Sequence, residues 1–286
     1  MTDREGRQVR VGAAATAALA SRLTERDRLV ALACYEHRVL TTEQLRRLHF
    51  GSSRRCCARL EQLHRLRVLD RFRPARERGQ GSAPYHWVLD EAGAHVVAAC
   101  LGLERSELRW RHQAAIAISR SGKLAHQLEV NEFFTRLAGE AAAAGGRLAD
   151  WWGERRCLSI LGGQVAPDGY GRLVLPGRRP VSLLLELDRA TEDQQRLRQK
   201  ARRYAKALPR SVLADEQPLL LVAVPTPARR DNLAATLASA SLAHRVVVWT
   251  PQRSPLEALR AALDELNESS SANAMTDLAP LPAPDD

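Results

Sequence analysis

Residues 181–188 read VSLLLELD, an aliphatic run that closes on two acids, Glu186 and Asp188. Side chains alternate across a strand, so residues two apart share a face and both carboxylates project from one side of its C-terminal end. Buried without partners, each would cost several kcal/mol, so the pair calls for cations, hydrogen bonds or water. The flanking sequence keeps alternating strand and helix. Upstream lie a predicted helix, LAHQLEVNEFFTRLAGEAAAA from Leu124, a strand at Arg155–Leu161, a strand-like GQVAPDGYG and a turn PGRRP. Downstream come a helix TEDQQRLRQKARRYAKAL, a strand PLLLVAVPT, a helix ARRDNLAATLAS and a strand HRVVVWT. LLLVAVP and RVVVW are apolar throughout, as expected of strands covered on both faces. The order αβββαβαβ predicts a mixed sheet with helices against it.

The region before it is patterned differently. LTERDRLVALACYEHRV (Leu23–Val39) opens with a capping box, Thr24 with Asp27 in place of the usual Glu, and shows helical spacing at Leu29, Leu32 and Ala33. TTEQLRRLHFG is a short second helix, capped by Thr41 or Thr42 and ended at Gly51. SSRRCCARLEQLHRLRVL is a third, capped by Ser52 or Ser53, with Cys56, Leu60, Leu63 and Leu66 on one face. VLDRFR, the loop PARERGQGSAP and YHWVL read as a β-hairpin with a long tip, followed by a helix from Glu91. Three helices and a hairpin predict a winged helix-turn-helix, whose third helix enters the major groove. Arg55, Arg59 and Gln62 line the outward face of that helix, with Ser53 and Arg54 at its start, and the wing adds Arg73, Arg76 and Arg78. Residues 54–78 hold nine Arg against three acids, so helix face and wing are basic together, as phosphate contact requires. A solvated arginine face, or a winged helix that docks a protein, is the alternative.

The charge of the whole chain follows the same division. Residues 1–123 hold 23 basic and 13 acidic side chains, whereas residues 124–286 hold 20 of each. A genome that favours Arg over Lys explains the choice of cation but not this asymmetry, which makes double-stranded DNA the expected partner. Five cysteines without C-x-x-C spacing argue against a disulfide scaffold and against zinc. No apolar stretch reaches spanning length, no signal peptide is evident, and a cytoplasmic, membrane-free protein is expected. The expected domains are a disordered segment at 1–21, a winged helix at 22–110, a mixed-sheet α/β domain at 111–265 and a disordered tail at 266–286.

Asp168 in PDG lies across a predicted hairpin from Glu186, so three carboxylates (Asp168, Glu186 and Asp188) meet at one sheet end and form an oxygen-rich site suited to Mg²⁺. A metal there would activate water and offset charge on a phosphodiester. Element order and residues together resemble the PD-(D/E)xK nuclease-like superfamily, Pro167-Asp168 standing for its PD and Glu186-Leu187-Asp188 for its E-x-K. Asp188 takes the place of the lysine. The resemblance implies that the following helix can supply that lysine instead, and Lys200, one of only three lysines in the chain, sits at the edge of that helix's buried stripe. Lys200 either attends the scissile phosphate or pairs with Glu186 or Asp188. The same resemblance implies a further acid from the first helix, Glu129, with Glu154 the other option.

Over residues 22–210 the chain resembles the bacterial replication-relaxation family of plasmids and integrative elements, on LTERDRLVALACYEHRVLTTEQLRRLHF, YHWVLDEAG, HQLEVNEFF, APDG, LELDRATE and KARRY. The resemblance implies a DNA-binding protein in replication or transfer of a mobile element, with plasmid replication or transfer proteins as partners. Metal-dependent nicking by Asp168, Glu186, Asp188 and Lys200 would relax supercoiled DNA. The rivals are a non-catalytic replication factor or regulator with a degenerate nuclease fold, and a protein-interaction module.

Overall fold

The computed structural model describes residues 22–74, 83–189, 194–238 and 246–276. Arg76 and Arg78 at the wing tip, and the segment 1–21, lie outside these residues. The chain divides into two compact units, Met1–Thr135 and Arg136–Asp286.

The first unit contains α1 (Glu25–Glu36), β1 (Leu40–Thr41), α2 (Thr42–His49), α3 (Ser53–Arg65), β2 (Leu69–Phe72), β3 (His86–Leu89), α4 (Glu91–Leu101), α5 (His112–Ile116) and the start of α6 (Leu124–Ala143). Local chemistry sets the helix starts. Thr24 and Asp27 exchange hydrogen bonds in a capping box at α1, Thr41 and Gln44 do the same at α2, and the Ser52 hydroxyl accepts the Arg55 N–H at α3. Helix α3 then buries Cys56, Leu60 and Leu63 and closes where the Val68 N–H reaches back to the Leu63 carbonyl at 2.9 Å. Arg67 holds the left-handed conformation (φ 56) that such a closure needs, usually a glycine position. Its guanidinium grips Asp90, the N-cap of α4, at 3.1 and 3.2 Å, which favours arginine there. Gly93 is needed for another reason: a Cβ would sit 2.1 Å from the Val68 carbonyl oxygen.

The three strands pair antiparallel in the order β1–β3–β2. The Trp87 indole N–H donates to the Thr42 hydroxyl at 2.9 Å and ties this sheet to the start of α2. The unit extends to Thr135 because the front of α6 is bonded into it. The Asn131 amide donates to the His37 and Val39 carbonyls at 3.3 and 2.6 Å, and Gln44 donates to the Leu128 carbonyl at 3.2 Å.

The second unit is built on β4 (Arg147–Gly153), β5 (Gly169–Val174), β6 (Val181–Leu187), β7 (Leu219–Ala223) and β8 (Val246–Trp249), in that order across one sheet. β5 runs antiparallel to both of its neighbours, β4 and β6, and β7 and β8 continue parallel to β6. The crossovers are α8 (Gln194–Ala207) and α9 (Pro227–Ala238). Residues 155–161, expected as strand, fall instead on helix α7 (Glu154–Ile160) and its C-cap Leu161. Cys157 and Leu161 turn into the core while Ser159 between them is exposed, a pattern that a strand face would not give; the strand is the preceding β4, which carries Trp151 and Trp152.

Tyr170, Leu184, Leu220 and Val222 from one sheet face pack with Cys157, Leu161, Ala201, Tyr204 and Leu233. The last helix, α10 (Pro255–Thr276), crosses the start of the tail expected to be disordered from 266. Its first turn is fixed by Glu140, whose carboxylate accepts from the Leu256 N–H at 3.1 Å and the Ser254 hydroxyl at 2.7 Å. No described helix is long and apolar enough to cross a membrane.

Candidate functional site

Two places carry chemistry, one in each unit. In the first, α3 turns Cys56, Leu60 and Leu63 inward and leaves Ser53, Arg54, Arg55 and Gln62 exposed. Among the described residues no ion pair engages Arg54 or Arg55. Arg59, expected among the DNA-facing residues, is engaged within the fold. Its Nε and Nη2 hold both oxygens of Asp27 at 2.8 and 2.5 Å, its Nη1 donates to Gln62 at 2.7 Å, and the Asp27 side chain is wholly buried. Burial pushes the Asp27 carboxyl up, but the bonds from Arg59 and Thr24 outweigh it and leave it below the ordinary aspartate range. Because Asp27 caps α1 from inside the fold, its charge needs a fork-shaped donor, and Arg59 is that donor.

On the hairpin, the Arg73 guanidinium stacks 3.7 Å from the Tyr85 ring centroid and Arg71 lies 4.1 Å from the same centroid. Arg71 also bonds Glu61 at 2.6 Å, whereas Arg73 is exposed.

The second place is the end of β6. Asp168 precedes β5; its N–H donates to the Leu185 carbonyl at 2.9 Å and its Oδ2 accepts from the Leu187 N–H at 2.8 Å. Glu186 is buried, with the Lys200 ammonium 2.5 Å from its Oε2 and the Tyr204 hydroxyl donating to its Oε1. Lys200 and Tyr204 are one helical turn apart on α8, so both reach the same carboxylate. Burial raises the Glu186 carboxyl to about 7; Lys200 opposes this rise, while the nearby Asp168 charge adds to it. A small pocket beside it is lined by Lys200, Tyr204, Leu220, Val222 and Val246.

Asp188 leaves this group. Its side chain is wholly buried and its Oδ2 accepts from Arg229 Nε of α9 at 2.8 Å. Arg229, 41 residues away in sequence, could not be paired with Asp188 by any local spacing.

Residues 33–215, from within α1 to just past α8, match the family model described as replication-relaxation. The chain belongs to the replication-relaxation family. That match covers both places, the exposed arginines of α3 and the acids of β6. No curated protein and no solved structure matches the chain.

In this replication-relaxation protein the acids as arranged do not fit a divalent ion. Both Glu186 oxygens are engaged by Lys200 and Tyr204, Asp188 is taken by Arg229, and among the described residues no three His, Cys, Asp or Glu side chains stand together as ligands. Glu129 is an exposed residue of the first unit, and Glu154 is exposed in the first turn of α7. Glu132 is engaged within the first unit by Arg47 at 2.5 Å and Gln44 at 3.3 Å. Sequence reading missed a third polar group. Glu216 accepts from the buried hydroxyls of Tyr170, at 2.5 Å, and Ser182, and pins the loop before β7 to the sheet; no local motif announces it.

Proposed function

We propose that this replication-relaxation protein binds double-stranded DNA through its first unit, as a winged helix-turn-helix, in the replication or transfer of a plasmid or other mobile element. Family membership points to replication of such elements. The order α1, α2, α3 and an antiparallel hairpin supports the reading of the fold. The observation that carries DNA contact is the pair Arg54 and Arg55, exposed on α3 opposite a buried leucine face and without an ion-pair partner among the described residues. Arginines so placed are set to neutralise phosphates. Fluorescence anisotropy of labelled duplex DNA tests this. Sequence-independent binding on the order of 10⁻⁴ to 10⁻⁶ M at physiological salt, weakening steeply as salt rises, is expected; absent or salt-insensitive binding would overturn it.

A second reading, nicking by a nuclease-like second unit, rests on the position of three side chains alone, since the acids as arranged do not hold a divalent ion. Asp168 and Glu186 meet at neighbouring strand ends with Lys200 delivered by the following helix. Asp188, committed to Arg229, has no catalytic part in this version. Supercoiled plasmid with Mg²⁺ or Mn²⁺ decides it: nicking lost in Asp168→Ala and Glu186→Ala supports cleavage, and intact plasmid with the unaltered protein rejects it.

A further inference from the structure

Residues 124–286 carry no net charge, yet the described part of helix α8, QQRLRQKARRYAKA, holds six basic residues and no acid. The helix divides these residues by face. Ala201, Tyr204 and Ala207 are buried in the core, and Lys200 turns inward to Glu186. On the opposite side Gln195, Gln199, Arg202 and Lys206 follow one another at i, i+4, i+7 and i+11, all exposed, with exposed Arg196 and Arg203 flanking them. Among the described residues Arg202, Arg203 and Lys206 enter no ion pair. Elsewhere in the same unit surface arginines do find carboxylates: Arg178 meets Asp264 at 2.9 Å, and Arg230 meets Asp231 at 2.7 Å.

We propose that the outer face of α8 is a second binding surface of this protein for double-stranded DNA, held to the phosphate backbone by Arg202, Arg203 and Lys206. Three cations within about one helical turn can meet successive phosphates of a duplex backbone, and Gln195 and Gln199, on the turns before them, can donate to phosphate or sugar oxygens without reading sequence. The inward residues hold the helix in place, so the cations stand on a rigid element. This inference extends the DNA-binding reading to the second unit and does not depend on α3 being a contact.

The test uses the full chain, labelled duplexes of two unrelated sequences, and anisotropy over a range of salt. The triple variant Arg202→Gln, Arg203→Gln, Lys206→Gln is compared with Arg54→Ala, Arg55→Ala and with the combination of both. Removing three phosphate contacts flattens the dependence of log K on log salt by nearly three, at about 0.9 per phosphate, and weakens both sequences alike. A second triple variant, Arg202→Lys, Arg203→Lys, Lys206→Arg, keeps the charge and retains the slope. Circular dichroism confirms that both remain folded. An unchanged slope in the folded glutamine variant would show a merely solvated helix face and overturn the proposal. A change there with none in Arg54→Ala, Arg55→Ala would uphold it while removing the α3 reading.

Discussion

Each unit buries a carboxylate, and each neutralises it in its own way. Asp27 in the first is held by both arms of the Arg59 guanidinium and by Thr24, and it stays ionised below the ordinary aspartate range. Glu186 in the second meets one ammonium and one hydroxyl, beside a second acid, and its carboxyl rises to about 7. A rigid fork offers two parallel donors to two oxygens, whereas a lysine is a compact charge on a flexible stem. The first arrangement fixes a charge permanently. The second leaves a group that gains or loses a proton near neutrality, next to a partly exposed lysine.

Removing the fork has the largest expected effect. Arg59→Ala leaves the buried Asp27 charge alone and destabilises the first unit by about 3 kcal/mol or more; Asp27→Asn in the same chain restores part of it. Urea midpoints measure both, and an Arg59→Ala protein as stable as the original would remove the contrast. Lys200→Met costs less, about 1–2 kcal/mol at pH 8, where Glu186 would otherwise be ionised. At pH 5 the carboxyl is already protonated and the loss shrinks, so melting temperatures at the two pH values should diverge only on the alkaline side.

The units should also respond to pH with opposite sign. Burial holds His37 and His49 down, to about 3 and about 4, so the unfolded chain takes up their protons first as pH falls below 6.5. That stability is present near neutrality and lost as pH falls toward 4. Glu186, raised to about 7 from 4.5, keeps a proton that the unfolded chain releases. Its contribution is present below 4.5 and lost as pH rises through 7. Hydrogen exchange, corrected for intrinsic rates, should show α2 losing protection in acid while β6 gains it. Parallel trends would show that one of the two buried sites titrates otherwise.

Local rules carried much of this architecture. Thr24 with Asp27, and Ser52 before an Arg-rich turn, mark helix starts through nearest-neighbour chemistry, and the alternation in VSLLLELD marks a core strand with its acids on one side. Where the reading failed, the deciding partner was distant in sequence or the spacing was ambiguous. Arg55 and Arg59 look alike on a helical wheel; only the buried Asp27, 32 residues earlier, separates a surface cation from a structural one. Asp188 was grouped with Glu186 because the strand puts them on one side, yet Arg229 claims it from across a crossover. The apolar letters in RRCLSIL permitted a strand, but Cys157 and Leu161 are buried while Ser159 between them is exposed, which fits one side of a helix and not one face of a strand. The polar NESSSANA stretch hid the continuation of α10 because composition reports burial, not helicity.

The smallest effect on stability belongs to the test that matters most. In Arg54→Ala, Arg55→Ala the urea midpoint should move by no more than about 0.5 kcal/mol, since both side chains are exposed. Duplex affinity measured on the same sample should fall, with a salt slope shallower by about two. A folded double variant that binds DNA with the original affinity and slope would contradict the account.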